Sequence, residues 1–150
     1  MSLDSLLAIG LALWLGGAAV IDARRMILPD VLTLPLIPLG LGLAWHEAPP
    51  LADRAIGAVA GFAVFALLAE GYRRWRGRDG LGLGDAKLLA GAGAWVGWQS
   101  LPSVVLIAAL SGLVWALVLR PPIDRPIPFG PFLAFGFWLV WRFGPLGFVN

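Results

Sequence analysis

Three aspartates stand at the edges of apolar runs in this sequence, and they are its strongest candidates for chemistry. Asp22 follows the first apolar run, Asp30 precedes the second and Asp85 precedes the fourth. Ionisable side chains at membrane depth are costly and usually serve a function. Carboxyl groups held close together can accept and donate protons, so these residues favour acid–base catalysis or proton transfer.

The segment before Asp85 is rich in glycine: residues 80–87 read Gly-Leu-Gly-Leu-Gly-Asp-Ala-Lys. It lacks the Gly-Lys-Ser/Thr ending of a phosphate-binding loop and the spacing of a dinucleotide-binding loop, so nucleotide binding is excluded. The alternating glycines Gly80, Gly82 and Gly84 leave a stretch of backbone without side chains, against which an extended peptide can lie. The alternative is a flexible linker that ends with Asp85 as the N-cap of a helix.

The first loop, residues 22–30, carries the other two aspartates. Asp30 follows Pro29 and precedes an apolar run, which predicts that Asp30 caps the N-terminus of the second helix. Asp22 ends a helix, where the macrodipole disfavours a negative charge, so capping does not explain it. The alternative for Asp22 is an ion pair with one of the two arginines that follow it closely.

The elements that position these residues must be membrane helices. Of the 150 residues, 59% are hydrophobic and 13% are charged, and the mean hydropathy is +0.85. A soluble domain has about 25% charged residues, and a disordered chain is far less hydrophobic. The net charge is +2, but the basic residues lie in short gaps between apolar runs, which indicates membrane topology and no nucleic-acid partner.

With no cysteine and one histidine, the sequence predicts no disulfide, metal ion or cofactor.

Six apolar stretches predict an all-α, polytopic membrane protein: a bundle of six transmembrane helices in a single domain, residues 1–150. We interpret the first stretch as a retained span, because no basic region precedes it as in a signal peptide. The fourth is so rich in glycine and alanine that we place it at the centre of the bundle. Lys87 is the only charge within a stretch, and we expect it to contact lipid or a loop. The stretches are residues 5–21, 31–45, 55–69, 86–98, 101–119 and 129–141.

The gaps between the stretches predict the orientation. Residues 22–30, 70–85 and 120–128 are basic, which places these gaps in the cytoplasm and both termini in the periplasm. The second and fourth stretches span only about 22 and 20 Å as helices, too short for a hydrocarbon core of about 30 Å. They predict that Asp22 and Asp85 line a recessed, water-filled pit. The arginines of the second basic gap are Arg73, Arg74, Arg76 and Arg78.

Four motifs follow one another along the chain: the first loop, Gly-Leu-Gly-Asp-Ala-Lys-Leu-Leu at 82–89, Gly-Ala-Trp-Val-Gly-Trp-Gln at 93–99 and Pro-Phe-Gly-Pro-Phe at 128–132. Together they resemble the motifs of the type IV prepilin peptidases. The resemblance implies an intramembrane aspartic endopeptidase of the bacterial inner membrane. Such an enzyme removes the leader from prepilins or pseudopilins at the cytoplasmic face, in pilus assembly or type II secretion. It implies Asp22 and Asp85 as the catalytic pair.

The resemblance also implies that Pro29, Asp30, Gly82 and Gly84 form the active-site loops. The partners that it implies are a prepilin or pseudopilin substrate and the lipid bilayer, with the oligomeric state left open. Long members of the family carry an N-terminal extension with paired cysteines and also perform N-methylation. This sequence begins one span before Asp22 and has no cysteine, so we expect a peptidase-only form.

Peptide hydrolysis by two carboxyl groups needs one ionised and one protonated, and two close like charges titrate apart. The helix ends predict Asp85 as the base and Asp22 as the acid. The main rival from another class is a small proton-coupled transporter or channel, because paired membrane carboxylates also relay protons. That function predicts acids near the bilayer midplane and in related repeats. A structural membrane adaptor is a third interpretation, and it leaves Asp85 unexplained.

Overall fold

The computed structural model describes residues 2–77 and 82–147. Arg78 of the second basic gap and Gly80 of the glycine segment lie outside the described residues. Within the described part the chain is helical and has no strand, which confirms the all-α prediction. Its helices are α1 (Leu3–Arg25), α2 (Asp30–Thr33), α3 (Leu36–Leu43), α4 (Leu51–Arg76), α5 (Leu83–Val96), a 3₁₀ helix (Trp98–Ser100), α6 (Leu101–Leu119) and α7 (Gly130–Phe143).

Each of the six apolar stretches forms helix, but the second is divided into α2 and α3. Pro35 lies at the division, where its missing N–H interrupts the helical hydrogen bonds. Three helical segments are long and apolar enough to cross a membrane, with mean hydropathies of 2.0, 1.8 and 2.3: α1, α4 and the 3₁₀ helix continued by α6. Helices α5 and α7 have 14 residues each, which is about 21 Å of helix.

Helix α5 forms the centre of the bundle, as its composition predicts. Residues 88–97 are buried without interruption, and α5 packs against α3, α4 and α7. Glycines bring α4 and α5 into backbone contact. A Cβ added to Gly57 would lie 2.5 Å from the carbonyl oxygen of Gly93, and one added to Gly61 would lie 2.7 Å from the carbonyl oxygen of Leu89. The third and fourth apolar stretches are therefore in close contact.

The helices run antiparallel in pairs, which divides the bundle into two ends. In α4 and α5, Gly57 faces Gly93 and Gly61 faces Leu89, so the C-terminus of α4 lies beside the N-terminus of α5. The C-termini of α1 and α6 and the N-terminus of α7 lie at this same end, which we call the site end. The opposite end is called the far end. Basic residues at helix termini of the site end are Arg24, Arg25, Arg73, Arg74, Arg76 and Arg120.

At the far end, the side chain of Arg54 is completely buried, with 0% exposure. Its guanidinium donates five hydrogen bonds of 2.9 to 3.3 Å to backbone carbonyls. These bonds connect α4, which carries Arg54, to α3, to α5 and to the loop before α4. A buried charge is tolerated when its donors are satisfied in this way. Sequence analysis missed this residue. The acceptors belong to Gly40, Glu47, Ala48, Pro49 and Ala94.

Candidate active site

Asp22 lies in the last turn of α1 and is 6% exposed. The C-cap of α1 is Met26, whose φ of 56° is left-handed and whose N–H donates to the Asp22 carbonyl at 2.8 Å. The carboxyl oxygen Oδ2 of Asp22 accepts a hydrogen bond of 3.0 Å from the backbone N–H of Gly130. Within the described residues, Asp22 forms no ion pair with either of the neighbouring arginines. The ion-pair alternative is therefore wrong.

Asp85 is the third residue of α5 and is 9% exposed. The N-cap of this helix is Gly82, so the alternative in which Asp85 is the N-cap is wrong. Gly84 is needed for packing, because a Cβ on it would lie 2.8 Å from the Cβ of Leu28. Gly82 is exposed and has no such neighbour. The two glycines thus have different roles. Gly84 allows the first turn of α5 to pack against Leu28 of the first loop, and Gly82 leaves its own backbone exposed at the cavity.

The two aspartates are 63 residues apart in sequence, yet they line one cavity of about 220 Å³. A water molecule occupies about 30 Å³ in the liquid, so the cavity has room for a reacting water molecule and part of a peptide. The residues that line it are Asp22, Met26, Ile27, Leu28, Gly82, Gly84, Asp85, Ile127, Pro128 and Phe129.

Two of the predicted active-site loop residues, Pro29 and Asp30, lie outside this lining. The predicted capping role of Asp30 is wrong. It is the first residue of α2, whose N-cap is Pro29, and no side-chain capping bond forms there. Asp30 instead accepts a hydrogen bond of 2.6 Å from Lys87 in a partly exposed ion pair. This pair fastens the start of α2 to the first turns of α5, and it provides the loop-side contact expected of Lys87.

Sequence analysis did not connect the Pro-Phe-Gly-Pro motif with the aspartates. This motif begins α7, with Phe129 as the N-cap and Pro131 in the first turn of the helix. The structure also places Phe129 in the cavity wall and Gly130 against Asp22. The only sequence signal for this proximity is that Gly130 lies in a motif of the resemblance. Composition and periodicity carry none.

The arrangement can transfer protons. Two buried carboxyl groups face a shared cavity at one end of the bundle, one at a helix C-terminus and the other at a helix N-terminus. Within residues 2–77 and 82–147, no group of three or more His, Asp or Glu side chains is arranged to hold a metal ion. The chemistry that these groups supply together is acceptance and donation of a proton at a substrate in the cavity.

Comparison with known proteins assigns the chain to a family. Residues 9–117, which include both aspartates, match the type IV leader peptidase family. The chain therefore belongs to the type IV leader peptidase family. No solved structure matches it significantly.

Curated relatives share this similarity, and each is named prepilin leader peptidase/N-methyltransferase. The protein of Dickeya chrysanthemi is 48% identical over 123 residues, which cover 77% of this chain and 43% of the relative. That of Burkholderia pseudomallei is 44% identical over 137 residues, covering 88% and 44%. That of Escherichia coli strain K12 is 48% identical over 122 residues, covering 79% and 54%. The chain spans about half the length of the curated relatives it matches.

Proposed function

We propose that this protein is an intramembrane aspartic endopeptidase that cleaves the leader peptide of type IV prepilins or pseudopilins, with Asp22 and Asp85 as its catalytic pair. One observation carries the proposal. In a chain of the leader peptidase family, two aspartates far apart in sequence are both buried and line the same cavity. Neither aspartate forms an ion pair with a cationic side chain among the described residues. Burial of two such acidic groups is costly, which supports a functional reason for their placement.

In the proposed reaction, the pair shares one proton. The ionised carboxylate takes a proton from water as the water oxygen bonds to the scissile carbonyl carbon. The protonated carboxyl polarises the carbonyl oxygen and then supplies a proton to the leaving amine as the C–N bond breaks. One water is consumed, and the products are a new carboxyl terminus on the leader and a new amino terminus on the mature protein.

The roles of the two aspartates are not fixed by their helix positions alone. The macrodipole argument makes Asp85, near a helix N-terminus, the base and Asp22 the acid. The N–H of Gly130 donates to Asp22, however, and such a donor stabilises a carboxylate. The two effects oppose each other. We therefore propose that the two carboxyl groups share one proton, and that their apparent pKa values describe the pair rather than either residue alone.

The proposed topology has six membrane segments, with the site end at the cytoplasmic face of the bacterial inner membrane. Basic helix termini gather at the site end, which is the cytoplasmic end by the positive-inside rule. Helix α1 begins and α7 ends at the far end, which supports periplasmic termini. The short α5 supports a pit recessed from the membrane surface, because its 14 residues span about 21 Å. We treat residues 1–150 as one domain.

The proposed substrate has a charged leader followed by an apolar segment, as prepilins do. The apolar segment would lie among the helices, and its junction with the leader would reach the cavity, where Gly82 presents accessible backbone. Pro29 and Asp30 support the first loop from outside the cavity. The proposal covers cleavage only and does not extend to N-methylation. A proton-coupled transporter is not favoured, because both carboxyls lie at one end of the bundle rather than in its middle.

The test is cleavage of a purified prepilin in detergent, followed by mass spectrometry of both products. We expect Asp22→Asn and Asp85→Asn each to lower the cleavage rate by about 10² to 10⁴-fold or more, the usual contribution of a positioned acid or base. Asp30→Asn is the matched control: it makes the same chemical change near the cavity and should retain substantial activity. Wild-type cleavage by either of the first two variants would show that the catalytic pair is wrong.

A further inference from the structure

We propose that the N-terminus of α7 is part of the active site, with Gly130 as a positioning residue that orients Asp22 and stabilises its ionised form. This inference rests on the proposed function. It gives α7 a role in the chemistry, because the first residue of this helix contacts Asp22 across 108 residues of sequence.

The hydrogen bond uses a donor that a helix leaves free. Gly130 is the first residue of α7, and the first N–H groups of a helix have no partner within it. The next residue, Pro131, has no N–H to offer, so Gly130 is the one donor among the first two helical residues. The bond to Oδ2 of Asp22 is 3.0 Å long and buried. A helix N-terminus also carries partial positive charge, which favours a carboxylate close to it.

The contact between Gly130 and Asp22 requires a glycine at position 130. A Cβ there would lie 2.9 Å from Cγ of Asp22 and 3.1 Å from Cδ1 of Leu28. Any other residue would therefore displace the carboxyl group or the start of α7. With Oδ2 held by Gly130, Oδ1 is the oxygen available for proton transfer. Orientation and charge state of Asp22 are thus set together by one backbone group.

Within residues 2–77 and 82–147, few charged side chains lie near Asp22. Asp85 on α5 is the charged side chain that shares its cavity. On α1 itself, Arg24 and Arg25 are exposed and follow Asp22. Asp30 of α2 is paired with Lys87. On α7, Arg142 lies in the last turn, at the far end of the bundle. Among the described residues, Asp85 is therefore the titratable group whose protonation we expect to be coupled to that of Asp22.

The first experiment observes the Gly130 amide directly in the intact protein. Labelling with carbonyl-¹³C phenylalanine and ¹⁵N glycine selects Phe-Gly pairs, and the sequence has three, which end at Gly130, Gly136 and Gly144. We expect the Gly130 amide shift to follow pH as the carboxyl pair titrates, while the other two amides do not follow that transition. In Asp22→Asn the transition at Gly130 should vanish. A Gly130 amide insensitive to pH, or a transition that persists in Asp22→Asn, would overturn the proposal.

The second experiment measures the pH profile of cleavage. In Gly130→Ala we expect the acidic limb of kcat/KM to move to higher pH by about 1 unit, because a hydrogen bond to the carboxylate is lost. Gly136→Ala is the matched control on the same helix: its Cβ would press on the backbone carbonyl of Val104 in α6 and would not touch Asp22. We expect an unshifted profile in that control. Equal profiles in the two variants would contradict the proposal.

These readouts separate this inference from the proposed function. The amide measurement needs no substrate, so it tests the Gly130 contact even if the protein cleaves nothing. Failure of wild-type protein to cleave prepilin would overturn the proposed function alone. Normal cleavage together with an insensitive Gly130 amide would overturn the positioning role alone.

Discussion

Arg54 shows how a full positive charge is held inside an apolar bundle without a carboxylate at bonding distance among the described residues. Its planar guanidinium has five N–H donors in a fixed geometry, and five carbonyl oxygens receive hydrogen bonds from it. A lysine has three donors on a single nitrogen and cannot satisfy the same set. Arginine is therefore required here by the number and direction of its donors.

We expect Arg54→Met to lower the free energy of unfolding by about 3 kcal/mol or more, because several buried carbonyls lose their donors. Arg54→Lys should destabilise less. Thermal unfolding in detergent measures both. Arg73→Met is the control, because Arg73 forms an exposed ion pair with Glu70, and such pairs contribute about 1 kcal/mol at most. A similar loss of stability in Arg54→Met and Arg73→Met would contradict this account of Arg54.

At the residue scale, the sequence supports prediction unevenly. Asp22 and Asp85 could be selected because a carboxylate beside an apolar run is rare and costly. Arg54 and Gly130 could not, since what defines them is contact with atoms far away in the sequence: a backbone carbonyl 40 residues from Arg54 and a side-chain carboxyl oxygen 108 residues from Gly130. The capping role assigned to Asp30 failed for a related reason: Lys87, 57 residues later, offers its carboxylate a stronger partner than the local backbone.

At the scale of elements, contact between α4 and α5 depends on glycines that allow the two backbones to touch. Membrane helices lack a strong hydrophobic drive to associate, so close packing of small residues stabilises the pair instead. This contact holds α5 in the centre of the bundle. It thereby fixes the height of Asp85 relative to α1 and α7.

We expect Gly57→Ala to destabilise the protein by about 1 to 3 kcal/mol, because the added methyl overpacks the contact with α5. Gly71→Ala is a matched control on the same helix. A Cβ at Gly71 would meet nothing within 4 Å, and replacing a helical glycine with alanine gains about 0.5 to 1 kcal/mol. Thermal unfolding of the two variants should therefore shift in opposite directions. A shift of equal sign and size would show that the α4–α5 contact is not tightly packed.

The positions of the helices could be predicted from composition, but the interruption of one of them at a proline could not. All six apolar stretches are helical, and the fourth is central, as its glycine and alanine content predicts. The break between α2 and α3 was not predicted, although Pro35 lies inside the second stretch. Hydropathy is insensitive to such a break because proline and its neighbours remain apolar.

At the scale of the whole molecule, chemistry and structural reinforcement occupy opposite ends. The two aspartates, the Asp30–Lys87 pair and the start of α7 lie at the site end. Arg54 and its carbonyls close the far end. Between Asp85 and Ala94, α5 spans nine residues, about 13.5 Å. Stability variants at the far end are therefore well separated from the reacting groups.

The proposed topology can be tested because the natural sequence has no cysteine. Single-cysteine variants Ser2→Cys, His46→Cys and Asp124→Cys introduce one thiol each in exposed positions or loops. In intact cells, a membrane-impermeant maleimide should label the first two from the periplasm. It should label the third only after the membrane is opened. Labelling of Asp124→Cys in intact cells would contradict the placement of the site end in the cytoplasm.

The acceptors of Arg54 have an order in time as well as in space. Four of the five come from residues 40–49, which leave the ribosome before Arg54 does, and only the carbonyl of Ala94 is made later. We expect the nascent α3–α4 hairpin to solvate its own cation before α5 exists. The Arg54 side chain can then enter the bilayer with four of its five hydrogen bonds already formed. The later helices insert beside a hairpin whose buried charge already has most of its hydrogen-bond partners.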